Sequence, residues 1–215
     1  MCPHRIRSKT RLDNNMKEFK IRASSAHKLL TNGRGKSAEM GQTGYTYLQE
    51  WMAEQIYGYK KEIKSKYLDK GLFLEDEAIS FYSENRGLFL LKNTDLFEDD
   101  YFRGTPDVIS DVIYDFKCSF DSFTFPLFDT DPEPSYVTQL QVYMHLTGKT
   151  KAKLIHVLID TPEHLVKPWE EAKTYTHVDP KYRIKEFDID FDPSVIEKLK
   201  ERVILSREYI KGIWR

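Results

Sequence analysis

The sequence predicts an α/β protein in which helices flank a mixed central β-sheet. Helical apolar periodicity marks the beginning, the middle and the end of the chain, whereas short strand-like runs fill residues 88–119 and return at 152–160 and 183–190. This order of helices, β-meander, helix, two strands and helix is typical of the class. A length of 215 residues suits one domain, which we place at residues 21–215.

Residues 1–20 are expected to form a basic, flexible tail ahead of this domain. Through residue 22 the chain carries seven lysines and arginines against two acidic residues, with almost no apolar periodicity. Met16 offers an alternative start, in which case residues 1–15 are an upstream extension. No apolar segment follows the basic residues and no run of about 18 apolar residues exists, so we expect neither secretion nor a membrane span.

Composition excludes several classes of protein. Aromatic residues make up 13% of the chain, which is too many for a fully disordered polymer. Two cysteines, Cys2 and Cys118, cannot bind an iron–sulfur cluster or form a four-thiolate zinc site, and they indicate a reducing, cytoplasmic location. The six histidines show no metal-binding spacing. With a net charge of −1, any binding to nucleic acid would depend on local basic patches.

The N-terminal elements are a short helix, a glycine-rich loop and a longer helix. Ser24 is predicted to cap a helix that ends near Leu30. Four glycines in residues 31–44 indicate a loop, and apolar spacing predicts a helix from Tyr45 to Ile56. Residues 58–70 then carry five lysines against two acidic residues, which fits a solvated helix face or a surface for an anionic partner.

Residues 71–85 are predicted to form an amphipathic helix with one anomaly. At 100° per residue, Leu74, Ile79 and Tyr82 fall on its apolar half, and Glu75 falls among them. A carboxylate on a buried stripe loses hydration, which costs several kcal/mol unless a cation or hydrogen-bond donors compensate. Glu75 is therefore either a functional carboxylate or a boundary residue whose carboxylate reaches solvent.

The second half of the chain alternates strands and helices. Strand-like runs occupy residues 88–91, 101–105, 107–110 and 112–119. A loop over 121–135 leads to a helix over 136–146, and the apolar run at 152–160 predicts a strand buried on both faces. A short helix near 168–173, a strand at 183–190 and a long helix at 193–213, capped by Asp192, complete the prediction.

The most informative segment is the pair of short strands within residues 107–119. Period two puts Asp115, Lys117 and Ser119 on one face of the second strand. If residues 110–112 form a three-residue connection, Asp107 lies opposite Asp115, with Cβ atoms roughly 5 Å apart. Two adjacent carboxylates repel unless a cation lies between them, and a hard ion such as Mg²⁺ fits. The alternative is a surface hairpin with an exposed ladder of aspartate and lysine.

Four motifs, in this order, resemble the PD-(D/E)XK nuclease superfamily. They are Ile21-Arg22-Ala23-Ser24-Ser25-Ala26-His27, Lys70-Gly71 with Glu75 and Ala78, Pro106-Asp107 with Asp115-Phe116-Lys117, and Gln139 with Tyr143. The third is similar to the superfamily's core signature, and the second to the helix that precedes it. The first and the fourth resemble segments of the lambda-exonuclease-like branch, the YqaJ viral recombinases. The resemblance implies a restriction-endonuclease-like core.

The resemblance also implies catalytic roles. Asp107, Asp115 and the backbone carbonyl of Phe116 would bind Mg²⁺, for which Mn²⁺ would substitute, and Glu75 would complete the acidic cluster. Lys117 would orient and help to deprotonate the attacking water, or stabilise the charge on the phosphoryl group.

Further positions are implied around this centre. Gln139 and Tyr143 share one helix face and would border the site. Ser24 matches a serine that helps to bind the terminal 5′-phosphate, with Arg22 as a candidate partner. The DNA-binding surface would draw on basic residues that precede Glu75, namely Arg34, Lys36, Lys60, Lys61, Lys64 and Lys66. Phe120, Phe123, Phe125 and Phe128 either stack on bases beside the site or pack their own loop.

The expected function is a Mg²⁺-dependent nuclease that degrades duplex DNA from a free end, 5′→3′, in a phage-type recombination system. Such a protein would pass the 3′ single strand to an annealing protein, and some relatives form rings. Two alternatives stay open. One is a structure-specific endonuclease or nickase with the same metal site, and the other is a non-catalytic DNA-binding module on the same fold.

Overall fold

The structure is a computed structural model that describes residues 17–33, 39–61, 66–166 and 171–214. The possible N-terminal extension and three of the predicted basic residues, Arg34, Lys36 and Lys64, lie outside the described residues, as does the side chain of Lys66.

Helices surround two small sheets. The helices are α1 (Gln42–Tyr57), α2 (Lys66–Arg86), α3 (Pro134–Thr147) and α4 (Pro193–Trp214), with 3₁₀ helices at Ala23–Leu30, Glu163–Leu165 and Pro180–Tyr182. The strands are β1 (Ile21–Arg22), β2 (Phe97–Glu98), β3 (Phe102–Gly104), β4 (Val108–Ile109), β5 (Ile113–Cys118), β6 (Lys151–Val157) and β7 (Ile184–Asp190).

Both sheets mix parallel and antiparallel pairs. The smaller has the order β1-β3-β2, with β1 parallel and β2 antiparallel to β3. The larger has the order β4-β5-β6-β7, in which β5 and β6 run parallel and the outer pairs run antiparallel. The predicted α/β class with a mixed sheet is confirmed.

The larger sheet separates two apolar clusters. On one face, Leu154 and Phe187 pack with residues of α3, α4 and the first 3₁₀ helix. On the other face, Phe116 and Ile155 pack with Tyr82 and its neighbours on α2. Because β6 contributes side chains to both clusters, it is the doubly buried strand that its apolar run predicted.

The strands β4 and β5 form the predicted hairpin. Val108 pairs with Tyr114 and Ile109 with Ile113, so residues 110–112 connect the strands. The same register puts Asp107 opposite Asp115. The side chain of Phe116 packs towards α2, which leaves Asp115 and Lys117 on the opposite face, as period two predicts.

Other element predictions were wrong. Residues 88–91 form no strand, and Phe89 is 85% exposed, because the two-residue β4 offers almost no edge; only Lys92 makes a bridge, to Val108. Ser24 is not an N-cap, since the 3₁₀ helix already begins at Ala23. Residues 171–175 are not helical, and 167–170 lie outside the described part of the chain.

The packed structure extends towards the N-terminus beyond the expected domain start at residue 21. Phe19 is 2% exposed and its ring lies 5.1 Å from that of Trp51. Glu18 pairs with Arg207 of α4 at 3.0 Å. The residues immediately before β1 are therefore held against the domain. Within the described ranges, none of the helices is both long enough and apolar enough to cross a membrane.

Candidate active site

A cavity of about 760 Å³ opens beside the hairpin. It is lined by six of the residues that the sequence singled out: Ser24, Glu75, Asp107, Phe116, Lys117 and Gln139. Asp115 and Tyr143 are buried behind this wall and connect to it through Gln139. The fold therefore brings residues from four separate motifs to one place.

The two aspartates of the hairpin are held by hydrogen bonds. Asp107 Oδ2 accepts a bond from the backbone N–H of Phe116 at 2.7 Å. Asp115 Oδ1 accepts a bond from Gln139 Nε2 at 2.9 Å. Burial, followed by repulsion from Asp115, raises the pKa of Asp107 to about 8. A proton or a cation is therefore required to keep both carboxyl groups together at neutral pH.

Lys117 supplies one such cation. Its Nζ lies 2.6 Å from Asp115 Oδ2 and 4.8 Å from the ring centre of Tyr136. Burial by itself lowers the pKa of Lys117, but the charges of Asp115 and Asp107 outweigh burial and raise the pKa above its ordinary value. The lysine is therefore an ammonium ion at neutral pH, which cannot accept a proton from water.

Gln139 and Tyr143 form the inner support of the site. Gln139 Nε2 donates a second hydrogen bond to the Tyr143 hydroxyl at 3.0 Å. The Tyr143 ring is buried against Gly104, where a Cβ atom would lie 2.6 Å from the ring. Gly104, which sequence reasoning missed, is required because no larger residue leaves room for this ring.

Glu75 lies in the same cavity but has its own partner. Its Oε1 lies 3.3 Å from Lys92 Nζ, and its side chain is 21% exposed. Lys92 also pairs with Asp76, at 2.8 Å. The expectation of a half-buried carboxylate that faces the hairpin agrees with this placement, whereas the pairing with Lys92 left no signal in the sequence.

The donor atoms of the hairpin fit a hard divalent cation. Asp115 Oδ2 is buried and accepts no hydrogen bond of acceptable geometry, although the Lys117 charge is close. Such an oxygen, next to the carboxyl group of Asp107, is of the type that Mg²⁺ prefers as a ligand. Over the residues that the structure describes, no three His, Cys, Asp or Glu side chains converge as a ready-made metal cluster. Glu75 lines the same cavity as Asp107, and its charge contributes to the raised pKa of Asp107.

Known structures share this architecture. A phage-related exonuclease from Haemophilus somnus 129PT is 28% identical, with a TM-score of 0.83 over 92% of this chain and 96% of that one. This likeness supports the PD-(D/E)XK nuclease superfamily, in the lambda-exonuclease-like branch that the motifs resemble. LHK-Exo, an alkaline exonuclease from Laribacter hongkongensis, shares the fold at 17% identity, with a TM-score of 0.68 over 91% and 89% of the two chains. LHK-Exo is also known in complex with dAMP. No protein-family model and no curated protein matches the chain.

The motif segment before Glu75 contains a buried side chain of unexpected type. Lys70, from the motif before Glu75, is buried and donates hydrogen bonds to the Phe120 carbonyl, the Ile159 carbonyl and the Thr161 hydroxyl at 2.9 to 3.0 Å. Burial lowers the pKa of Lys70 to about 8. This lysine fixes α2 to the loops that leave β5 and β6, and so holds Glu75 beside the hairpin.

His156 is a cavity residue that the sequence did not indicate. It pairs in register with Lys117 across β5 and β6. Burial and the positive charge of Lys117 lower the pKa of His156 to about 4, so its ring is neutral. The ring lies 5.9 Å from that of Tyr136 and 6.1 Å from that of Phe187. The pairing of distant strands creates this contact, so no local pattern predicts it.

The loop after β5 exposes two of its phenylalanines. Phe123 is 90% exposed and Phe128 is 91% exposed, whereas Phe125 is buried in a small cluster. The carboxylate of Asp121 accepts hydrogen bonds from the backbone of Phe123 and Thr124, which orders the turn. Packing of the loop therefore accounts for Phe125, and the ammonium group of Lys173 lies 5.5 Å from the ring centre of Phe123.

Of the predicted DNA-binding residues that the structure describes, only Ser24 lines the cavity. Ser24 is exposed on its wall, but Arg22 is not among the described residues that line it. Lys60 and Lys61 are exposed after α1, and Lys61 pairs with Glu50 at 2.5 Å. Their contact with DNA stays a prediction.

Proposed function

We propose that the chain is a metal-dependent DNA nuclease, and more specifically an exonuclease that degrades duplex DNA from an end. The juxtaposition of Asp107 and Lys117 on the wall of one open cavity, with Asp115 buried directly behind them, carries this proposal. An acidic pair beside a protonated lysine matches the needs of phosphodiester hydrolysis, in which negative charge increases on the phosphoryl oxygens. The likeness to the Haemophilus somnus exonuclease supports it.

Each residue has a defined task in this proposal. Asp107, Asp115 and the Phe116 carbonyl would hold the divalent ion, which supplies a Lewis acid and lowers the pKa of a bound water. Gln139 would keep Asp115 in the orientation that directs Oδ2 at Lys117 Nζ. Lys117, as a cation, would stabilise charge on the phosphoryl group or donate a proton. Removal of one such group costs about 10²- to 10³-fold in rate.

We further propose that cleavage proceeds 5′→3′ and begins at a phosphorylated end. The hydroxyl of Ser24, on the cavity wall, is available to hydrogen bond a terminal phosphate. In a phage-type recombination system the product would be a 3′ single strand for an annealing protein. A closed ring of subunits would keep the enzyme on its substrate.

The test uses linear and covalently closed duplexes of the same sequence, incubated with the protein in Mg²⁺ or in EDTA. We expect Mg²⁺-dependent digestion of the linear DNA alone. Cutting of both forms would assign an endonuclease or nickase instead, and cutting of neither would favour a DNA-binding module. Linear substrates labelled at the 5′ or at the 3′ end, with and without a 5′-phosphate, then report the polarity. Early release of the 5′ label, faster with the phosphate, is the predicted result.

A further inference from the structure

The loop that follows β5 carries an aromatic side chain at the edge of the cavity. Phe128 is 91% exposed, so almost the whole of its ring is open to solvent. It is a central residue of a turn that the Asp129 N–H closes by donating a hydrogen bond to the Pro126 carbonyl at 3.2 Å. Pro126 and Asp129 both line the cavity. Phe128 therefore lies at the rim of the candidate active site, and we call residues 126–133 the rim loop.

Neighbouring side chains hold this turn against the domain. Phe125 is buried with Leu158 and Tyr175, and Leu127 packs against the same cluster. The Leu127 N–H also donates a hydrogen bond to the Phe125 carbonyl at 2.9 Å. Because the backbone that carries Phe128 is already ordered, a contact made by its ring costs little additional conformational entropy.

The rest of the rim loop is acidic. Asp129, Asp131 and Glu133 are exposed, and all three line the cavity. Among the described residues, Asp131 and Glu133 accept hydrogen bonds from neutral hydroxyl groups, those of Thr130 and Ser135. No cation in the described part of the chain forms an ion pair with any of the three carboxylates. This side of the cavity therefore repels phosphate groups.

An apolar ring beside three carboxylates suits the flat face of a base better than it suits a phosphate. Bases stack on aromatic side chains whatever the sequence, because every base has a π-face. Inside a duplex, neighbouring pairs cover both faces of each base pair, whereas the terminal pair leaves one face open. A continuous duplex at the rim loop would offer no open face, and its phosphates would meet the carboxylates.

We propose that Phe128 stacks on the outer face of the terminal base pair of a duplex, and that Asp129, Asp131 and Glu133 exclude continuous duplex from the cavity. The rim loop thus recognises a free end rather than a sequence, by attraction of the end and by repulsion of the competing form. The inference rests on the proposed exonuclease function, and it specifies how that site selects its substrate.

The test for stacking uses linear duplexes with 2-aminopurine either in the terminal base pair or at the centre, titrated with the full chain in EDTA. We expect the wild type to change the fluorescence of the terminal probe alone. Phe128→Ala should lose this change and bind the linear duplex about tenfold more weakly, the scale of one stacked base, whereas Phe128→Tyr should retain both.

Phe123→Ala is the matched control for stacking. Phe123 is 90% exposed on the same loop, but Lys173 Nζ lies 5.5 Å from its ring centre. The control should keep the signal of the terminal probe. An equal loss in Phe123→Ala and Phe128→Ala, or an unchanged signal in Phe128→Ala, would overturn the proposal. Because Phe128 is so exposed, its replacement should leave thermal stability unchanged.

The test for repulsion replaces Asp129 and Asp131 by Asn and Glu133 by Gln in one variant. Its affinity for covalently closed duplex should rise by at least about threefold, because three repelling charges are removed. The control replaces three exposed glutamates of α4 by Gln and changes the net charge equally: Glu197, Glu201 and Glu208. Unchanged binding of the closed duplex by the rim variant, or an equal rise in the control, would overturn the proposal.

Digestion in Mg²⁺ separates failure of this inference from failure of the proposed function. We expect Phe128→Ala to digest linear duplex with a KM about tenfold higher than that of the wild type, because fewer ends are bound at a given DNA concentration. An equal KM in the two proteins would overturn the role of Phe128 and leave the nuclease assignment standing. A wild-type protein that digests no DNA would contradict the proposed function itself.

Discussion

Gln139 donates a hydrogen bond to Asp115 at 2.9 Å, and both side chains are buried. The bond joins α3 to β5 and leaves Asp115 Oδ2 directed at the ion pair with Lys117. A carboxylate in this position is free to rotate unless a donor fixes it. Gln139 therefore determines which oxygen of Asp115 faces Lys117.

Gln139→Ala should weaken the affinity for Mg²⁺ or the rate of cleavage by about 10- to 100-fold, the usual cost of losing a group that orients a metal ligand. Gln141→Ala is the matched control, because Gln141 is also buried on α3 but binds the Asp190 carbonyl and the Asp192 N–H. We expect the control to lower thermal stability and to leave metal affinity unchanged. Calorimetric titration with Mg²⁺ distinguishes the two variants. An equal loss of Mg²⁺ affinity in both would contradict an orienting role for Gln139.

The residues of the hairpin should differ in their effect on metal binding. Asp107→Ala and Asp115→Ala each remove a proposed ligand, so each should weaken Mn²⁺ binding by tenfold or more. Lys117→Ala should bind Mn²⁺ at least as tightly as the wild type, because it removes a cation 2.6 Å from Asp115. Titrations of the three variants under one set of conditions check this order. Weaker binding by Lys117→Ala would contradict it.

The pKa of Asp107 predicts how stability depends on pH. Folding raises this pKa to about 8, from roughly 3.9 in an unfolded chain, so the folded state retains a proton that the unfolded state loses. In EDTA, Asp107 should therefore lower the free energy of unfolding as pH rises from about 4 to 8, by at most ~1.4 kcal/mol per pH unit.

Denaturant unfolding of the wild type and of Asp107→Asn, between about pH 4 and pH 8, measures this effect as the difference between their free energies of unfolding. The opposite contribution of His156, whose pKa falls on folding, cancels in that difference. We expect the wild type to lose stability relative to Asp107→Asn as pH rises, and Mg²⁺ to restore it, because the ion replaces the proton. Parallel curves for the two proteins would show that Asp107 is already ionised near pH 5.

The basic segment from Lys60 to Lys66, the first residue of α2, predicts how DNA binding depends on salt concentration. If Lys60, Lys61, Lys64 and Lys66 bind phosphates, their replacement by Gln should weaken DNA binding and reduce the log–log salt slope by roughly 0.9 for each phosphate that is no longer neutralised. Lys61 should contribute least, because it already pairs with Glu50. Replacement of the exposed Lys198 and Lys211 on α4 is the control and should leave the slope unchanged. An unchanged slope in the quadruple variant would show that these lysines do not neutralise DNA phosphates.

The sequence predicted features that depend on neighbouring residues. The opposition of Asp107 and Asp115 follows from period two and a three-residue connection, and the observed register confirms it. The position of Glu75 follows from the helical wheel. In each case the geometry arises within one hairpin or one helix, so local periodicity is sufficient to derive it.

Features that join distant segments could not be predicted in this way. Lys92 meets Glu75 through a strand bridge, and His156 meets Lys117 through parallel pairing of β5 and β6. Gly104 is required by a ring from α3. The strand predicted at 88–91 does not form, because strand pairing also depends on a distant partner. Its apolar residues suit a strand, but β4 is too short to pair with them.

The most direct test of the proposed activity measures acid-soluble nucleotide released from linear duplex DNA in Mg²⁺. The wild type should digest the DNA, and Asp107→Ala and Asp115→Ala should release nothing measurable, because neither variant holds the ion. Lys117→Ala should retain the ion but lose about 10²-fold or more in rate. All three variants must show the circular dichroism of the folded protein. Near-wild-type digestion by any one of them would place the active site elsewhere.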